Sequence, residues 1–350
     1  MGGKARMVIE EVFGFKPRSV IVLAVGGGGD IASAMLNTLW LQKYGVRSQL
    51  AAIAWERFVI DPCPGPLRLE DFAGPTSRLS LHLLEVRGGC WVVRSLCGGN
   101  VFIPQVCRLA RIASVPIYVV DVWGGSRGIA EALRHLASLT GAEAILAVDV
   151  GGDVLAEGVE DTLWSPLADA VGLAGSVESG LPVVAAVQSP GSDGELRLDE
   201  ILERLGDIAA AGGLRAARLV SFDEALVLEE IVREGFVTEA GLAQLMARRG
   251  VRGVFKLRGG TRRVDLTVLQ ALVFYMDGEI LYKLSPLARR VSGTWSLQEA
   301  RARLNEACVF TELDLEEGLW REKMRGLEPN PARVRAGGRR ALRLRCVAER

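Results

Sequence analysis

The chain has 350 residues, 49% hydrophobic and 24% charged, which excludes a disordered polypeptide and suffices for one large α/β domain or a main domain with a smaller one. Its 42 basic residues balance 42 acidic ones, so net charge points to no nucleic-acid or other charged partner; the one basic concentration is the last twenty residues. No apolar run reaches the roughly 18 residues that a membrane span needs, and the start runs into Glu10 and Glu11 in place of a secretory core, which reads as a cytoplasmic protein.

Residues 18–25 are a continuous run of β-branched and apolar type, as expected of a strand buried on both faces of a parallel sheet. Four glycines follow, then Asp30 opens an apolar-periodic run over 31–43, which predicts a helix closed by Gly45. Residues 46–55 predict a second strand and complete a βαβ unit. Gly27, Gly29 and Ala32 meet the G-x-G-x-x-G/A spacing of a dinucleotide fingerprint in the strand-to-helix context that it requires. Helix-start amides there could hold a phosphate, with Gly26, Gly27, Gly28 and Gly29 as the cradle, and Glu56 ends the second strand where an acid would bind a ribose. Against a bound phosphate stands the charge of Asp30. It is either a plain N-cap or a residue that works through a metal ion or a neutral hydroxyl, and the glycines are either a ligand loop or a tight turn.

Residues 60–80, rich in Pro, Gly and Arg, predict a long irregular excursion that carries Arg57 at its entry; Arg57 could neutralise ligand charge. Strands are expected at 115–122, 144–150, 182–188 and 217–221, with a helix over 129–139. Alternating strands and helices argue for an α/β, doubly wound, mostly parallel Rossmann-like sheet in residues 1–222. Residues 223–328 read as a mainly helical portion, with helices at 224–234, 238–248 and 296–306, a capping box at Ser296 and Glu299, and an ambiguous stretch over 251–284. Residues 329–350 read as a basic, mobile tail, a solvated terminus in preference to an RNA or membrane contact.

The least ordinary segment is 148–169. Asp149 ends a strand, Asp153 follows a glycine pair, Glu157 and Glu160 come next, and Asp169 sits in a helix begun by Ser165 and Pro166. No basic residue lies between Asp149 and Glu178, so these acids need a cation or solvent. Magnesium suits them, with Asp149 and Asp153 as its ligands, and Asp193 and Glu195 in the acidic turn after the next strand could join them; the alternative is a solvated acidic loop. Asp30 and Asp193 are the catalytic candidates.

The six cysteines form no Cys-x-x-Cys pair, so buried or free thiols are expected, with Cys63 and Cys97 in loops where a thiolate could be exposed. His82 and His135 fall on apolar runs read as helical, and there is neither a G-x-S-x-G elbow nor a G-x-x-x-x-G-K-[ST] loop, which disfavours histidine-base, serine-hydrolase and P-loop chemistry. Arginine outnumbers lysine 36 to 6 and the amides total 11, as in a heat-adapted protein or under a codon bias.

The blocks Gly26-Gly-Gly-Gly-Asp30, Trp55-Glu-Arg57 with Asp61-Pro and Pro64-Gly-Pro66, Asp149-Val-Gly-Gly-Asp153, Ser165-Pro-Leu-Ala-Asp169, Asp193-Gly-Glu-Leu196, Ser285-Pro-Leu-Ala-Arg289 with Gly293-Thr294, and Thr311-Glu-Leu-Asp314 occur in this order. Together they resemble the domain of unknown function 1152 family of archaea and actinobacteria. The resemblance runs from about residue 20 to 316 and implies one α/β protein with these loops intact. It implies no activity and no catalytic residue. The segment 94–100 departs from the small and Pro-Ala-Gly residues that the resemblance leads one to expect.

Three readings follow. The leading one is an enzyme for a nucleotide or phosphorylated metabolite, assisted by magnesium. The second is an NAD(P)- or FAD-binding protein in which Asp30 only caps the helix and Glu56 holds the ribose. The third is a non-catalytic ligand sensor or scaffold whose carboxy-terminal third contacts a partner.

Overall fold

Ser19–Ala24 form strand β1, buried at every position because helices cover both faces of the sheet that it centres. The computed structural model describes residues 2–348, and side chains from residue 8 onward. Helix α1 (Gly2–Phe13) precedes β1; α2 (Asp30–Lys43) and β2 (Arg47–Ile53) follow it. Residues between β2 and α3 (Gln105–Ala113) include the short strands β3 (Phe72–Ala73), β4 (Thr76–Ser80), β5 (Leu83–Val86), β6 (Trp91–Arg94) and β7 (Asn100–Phe102). The alternating pattern then resumes with β8 (Ile117–Val120), α4 (Gly125–Thr140), β9 (Ala144–Val150), α5 (Pro166–Glu178), β10 (Val183–Gln188), α6 (Leu198–Ala210) and β11 (Leu214–Leu219). Beyond it lie α7 (Phe222–Arg233), α8 (Glu239–Arg248), a hairpin of β12 (Gly253–Leu257) and β13 (Arg262–Leu266), β14 (Leu272–Asp277), α9 (Gly278–Leu284), α10 (Pro286–Val291), α11 (Leu297–Glu306), α12 (Glu312–Met324) and α13 (Pro331–Ala348).

The main sheet has the order β11-β14-β10-β9-β1-β2-β8-β5-β4, parallel from β10 to β8 and antiparallel at both edges. This is the doubly wound α/β architecture. Alternation along β1 divides the core in two: Ile21 and Leu23 pack with α4, α5, α10 and α11, while Val20, Val22 and Ala24 pack with α1, α2, α3 and α7. The winding reverses at β1, because β2 lies on one side of it and β9 on the other. Such a reversal opens a crevice at the carboxyl ends of the strands, and the loops that follow β1 and β9 flank it.

The structure changes several expectations. The ambiguous stretch 251–284 holds the β12–β13 hairpin and β14, and β14 inserts between β10 and β11, so the chain beyond residue 222 completes the main sheet. The polar hydroxyl of buried Tyr275 in β14 is satisfied by Asn37 at 2.7 Å and Arg218 at 2.7 Å, partners that only the tertiary fold supplies. The segment read as a mobile tail is helix α13. Gly338 lets it lie on the ring of Phe310, and Arg335 donates to the carbonyl of Leu163 at 2.7 Å.

The cysteines expected to be thiols are paired as Cys63–Cys97, Cys90–Cys107 and Cys308–Cys346, with partners 34, 17 and 38 residues apart. Spacing alone cannot reveal such pairings, and no described cysteine remains free for thiol chemistry. The departing segment 94–100 braces the Pro/Gly loop: buried Arg94 binds Asp61 at 2.8 Å and Asp71 at 2.6 Å, and Cys97 ties the same loop through Cys63. His82 sits in the β4–β5 turn, not on a helix, with Nδ1 3.1 Å from Asp121; His135 is on α4 as expected. Among the described residues no helix is long and apolar enough to cross a membrane.

Candidate functional site

A cavity of about 470 Å³ lies in the crevice at the β1–β9 reversal. The glycine loop forms its floor. Gly27 and Gly28 have φ of +82° and +48°, and a Cβ on Gly27 would come within 3.0 Å of the Trp55 side chain. A Cβ on Gly26 would collide with the Asp30 carboxylate and lie 3.2 Å from Asp169 Oδ1. These glycines are therefore demanded by side chains packed directly on the loop. Asp30 is not an N-cap: Gly29 holds that position without any side-chain cap, and Asp30 is the first helical residue. Its carboxylate turns back over Gly26, and burial beside Asp149 and Asp193 raises its pKa well above the usual carboxylate range.

The other acids come from the loops after β9 and β10 and from α5. Asp149, 2% exposed, accepts from the Val154 amide at 3.1 Å; burial and the charge of Asp193 push it up to about 8. Asp153, 5% exposed, has Oδ2 3.2 Å from Ser165 Oγ, while its Oδ1 has no partner among the described residues. Burial and the neighbouring charge of Glu195 raise it strongly. Asp169, 2% exposed, likewise has an unpartnered Oδ1 and is raised by burial and by Asp149 and Asp30. Asp193 is half-buried over Gly151, whose φ of +121° keeps the space that the carboxylate fills; burial and Glu195 push it up to about 6.

Glu195 behaves differently. It accepts from the amides of Trp164 and Ser165 at 2.7 and 2.8 Å and from Ser165 Oγ at 2.6 Å, and pairs with buried Arg262. These partners overcome the cost of its burial and hold it down at about 2, so it is the fixed anion of the cluster. Arg262 stacks on Trp164, whose ring also carries Arg335 of α13. Oxygens of Asp153, Asp193 and Glu195 lie within 4.8 Å of one another, close enough to share one metal ion.

Glu56 and Arg57 reach the same cavity with other attachments. Glu56 is pushed up to about 7 by burial, and its Oε1 already accepts from the Gln105 amide at the start of α3 at 2.7 Å. Arg57 binds Glu239 at 3.0 Å, and Glu239 also binds Arg258 at 3.1 Å, a bridge at the rim. The ten residues given a ligand or catalytic role in the sequence, Gly26 to Asp30, Glu56, Arg57, Asp149, Asp153 and Asp193, line this one cavity, whereas Glu157, paired with Arg204, and Glu160, which accepts from the Glu157 and Gly158 amides, do not.

Glu312, Glu316, Arg258 and Arg262 also line it, although the sequence alone assigns them no role and leaves Asp169 and Glu195 without a definite one. Glu312 accepts from the Leu167 and Ala168 amides at 3.0 and 2.7 Å and so occupies the anion-attracting start of α5. Glu316 takes both the Trp55 indole N–H and the Gly65 amide, and burial raises each of these two acids to about 8. The signal for both is their spacing of four on one helix behind the Thr311 cap. Arg258 and Arg262 give none, because their hairpin is not legible in the sequence.

Fold and site define a doubly wound α/β protein with an acid-lined crevice at its winding reversal. The chain belongs to the family described as protein of unknown function (DUF1152), whose model matches residues 21–320 and thus spans every cavity residue except Pro331. No curated protein matches the chain, and no solved structure does.

Proposed function

We propose that the chain is a cytoplasmic enzyme that takes a nucleotide or phosphorylated metabolite in this crevice with magnesium, and that its reaction is phosphoryl transfer or hydrolysis. The observation that carries this is Asp153 Oδ1, a buried carboxylate oxygen without a partner among the described residues, in a set of three acids gathered within 4.8 Å. A buried unpaired carboxylate is costly, and a divalent cation offsets that cost. Magnesium takes one or two carboxylates plus substrate phosphate oxygens, which suits Asp153 and Asp193, with Glu195 fixed behind them by Arg262 and Asp149 alongside.

Bound there, the ion would neutralise charge on a transferring phosphoryl group. Gly27 to Gly29 would supply backbone at the start of α2, Asp30 or Asp193 would orient the attacked group, and Arg57 and Arg258 would add positive charge at the rim. A dinucleotide reading needs Glu56 for the ribose, and its Oε1 is already engaged by Gln105, so the geometry favours the first reading. Three disulfides beside an arginine-rich, amide-poor composition support a heat-adapted source, the one intracellular setting where disulfides are common.

The test is phosphate release from a panel of nucleoside triphosphates and sugar phosphates, with magnesium and with chelator, for the wild type and Asp153→Asn. Magnesium-dependent release that falls by about two orders of magnitude or more in the variant supports the reading. Release that is equal in both proteins contradicts it.

A further inference from the structure

We infer that the crevice takes a second divalent cation, between Asp30 and Asp169 above the glycine loop, and that this ion enters together with a phosphate group. The inference rests on the magnesium reading above and adds a site that this reading does not need.

Its starting point is Asp169. This side chain is 2% exposed, and its Oδ1 has no partner among the described residues. The same atom lies 3.2 Å from the place a Cβ of Gly26 would take, and the Asp30 carboxylate crowds that same place. Two carboxylate oxygens from different elements therefore converge on one hydrogen of Gly26. The set formed by Asp153, Asp193 and Glu195 uses neither of them. Asp149 links the two groups electrostatically, since its charge acts on both Asp30 and Asp169 while that of Asp193 acts on it.

Position in the fold explains why this ion should come with phosphate. Asp30 is the first residue of the fourteen-residue helix α2, where unpaired amides and the helix dipole favour an anion from the ligand. A phosphate placed there meets the Asp30 carboxylate, and without a cation the two repel. A magnesium ion between them removes the conflict, and two carboxylates are the protein ligands this ion usually takes when phosphate supplies further oxygens. The second ion and the phosphate then raise each other's affinity by the same factor.

Equilibrium dialysis of the full chain against Mn2+, with and without inorganic pyrophosphate, tests this directly. Wild-type protein should bind one ion alone and two with pyrophosphate. Asp30→Asn and Asp169→Asn should keep the first ion, lose the second and bind pyrophosphate about tenfold more weakly, whereas Asp153→Asn should lose the first. Both Asn changes are isosteric and relieve like-charge crowding, so each variant should melt cooperatively without metal, and either suffices for the test. One ion irrespective of pyrophosphate, or a second ion kept by both Asn variants, overturns the second site and leaves the first standing. No ion under either condition overturns both.

Discussion

Glu195 holds the amides of Trp164 and Ser165, the Ser165 hydroxyl and the Arg262 guanidinium at once, so one carboxylate fixes the loop ahead of α5 and the β13 end of the hairpin. Breaking a buried pair costs more than the pair is worth, because the remaining charge stays desolvated. Arg262→Met should therefore destabilise the chain by about 3–5 kcal/mol in denaturant unfolding. A loss no larger than a surface change would show that Glu195 is held by the amides alone. Asp169→Asn should do the opposite in metal-free protein, raising the melting temperature at neutral pH and above, since it removes a carboxyl whose ionised form is disfavoured first by burial and then by the charges of Asp149 and Asp30. At this scale the sequence is informative where chemistry is local: Asp149 and Asp153 beside a glycine pair, and Asp30 after four glycines, are visible as acids at strand ends. Glu195's role is not, because its donors come from residues 164, 165 and 262, which only the fold brings together.

Among the elements, α12 and α13 matter most to the crevice. Helix α12 delivers Glu312 to the start of α5 and Glu316 to Trp55, and α13 lies against it, with Val334 on Gly318. The Cys308–Cys346 bond closes a 38-residue loop around this pair. Loop closure of that length is worth about 4 kcal/mol in the chain-entropy model, so Cys308→Ser with Cys346→Ser should lower unfolding free energy by about that amount. Equal stability of the mutant and the oxidised wild type would show that packing alone holds α13. The helices at 224–234, 238–248 and 296–306 are legible from caps and period, and Ser296 does accept from the Glu299 amide; the Glu299 carboxylate, however, takes the Trp295 amide in place of completing a box with Ser296. Helix α13 is hidden by Gly337 and Gly338, which weaken a helical reading, although Gly338 is what lets the helix approach Phe310. Strand β14 is hidden because its neighbours β10 and β11 are distant in sequence.

The whole molecule gathers a set of buried acids in the crevice at the carboxyl end of the sheet, and this set shapes its response to pH. Asp149, Glu312 and Glu316 are raised to about 8 and Glu56 to about 7, against usual values near 4 in the unfolded chain. Between those values the folded state binds more protons, so their contribution is complete below about pH 4 and is lost as pH rises toward 8. Glu195, held at about 2, acts in the other direction, and its contribution is lost as pH falls from about 4 to 2. Metal-free protein should therefore be most stable in mild acid and lose several degrees of melting temperature by pH 8, since about 1 kcal/mol corresponds to about 2 °C in a large domain. Magnesium should restore the part carried by Asp149 and its neighbours. A metal-free melting temperature that rises from pH 5 to 8 would contradict the burial of these acids.

On the proposed reading, the crevice binds a phosphate-bearing ligand through a divalent cation. The melting temperature of the purified chain with ATP, GTP, NAD, NADP and FAD, each with magnesium and each with chelator, tests this at once. A ligand at about 100 times its dissociation constant adds about 2.7 kcal/mol to the native state, a shift of several degrees. That shift should appear only when a nucleotide and magnesium are present together, and should be absent in Asp153→Asn. A shift with a dinucleotide in chelator would contradict cation-dependent phosphate binding in the crevice, and no shift with any of these ligands would contradict a nucleotide as the phosphate carrier.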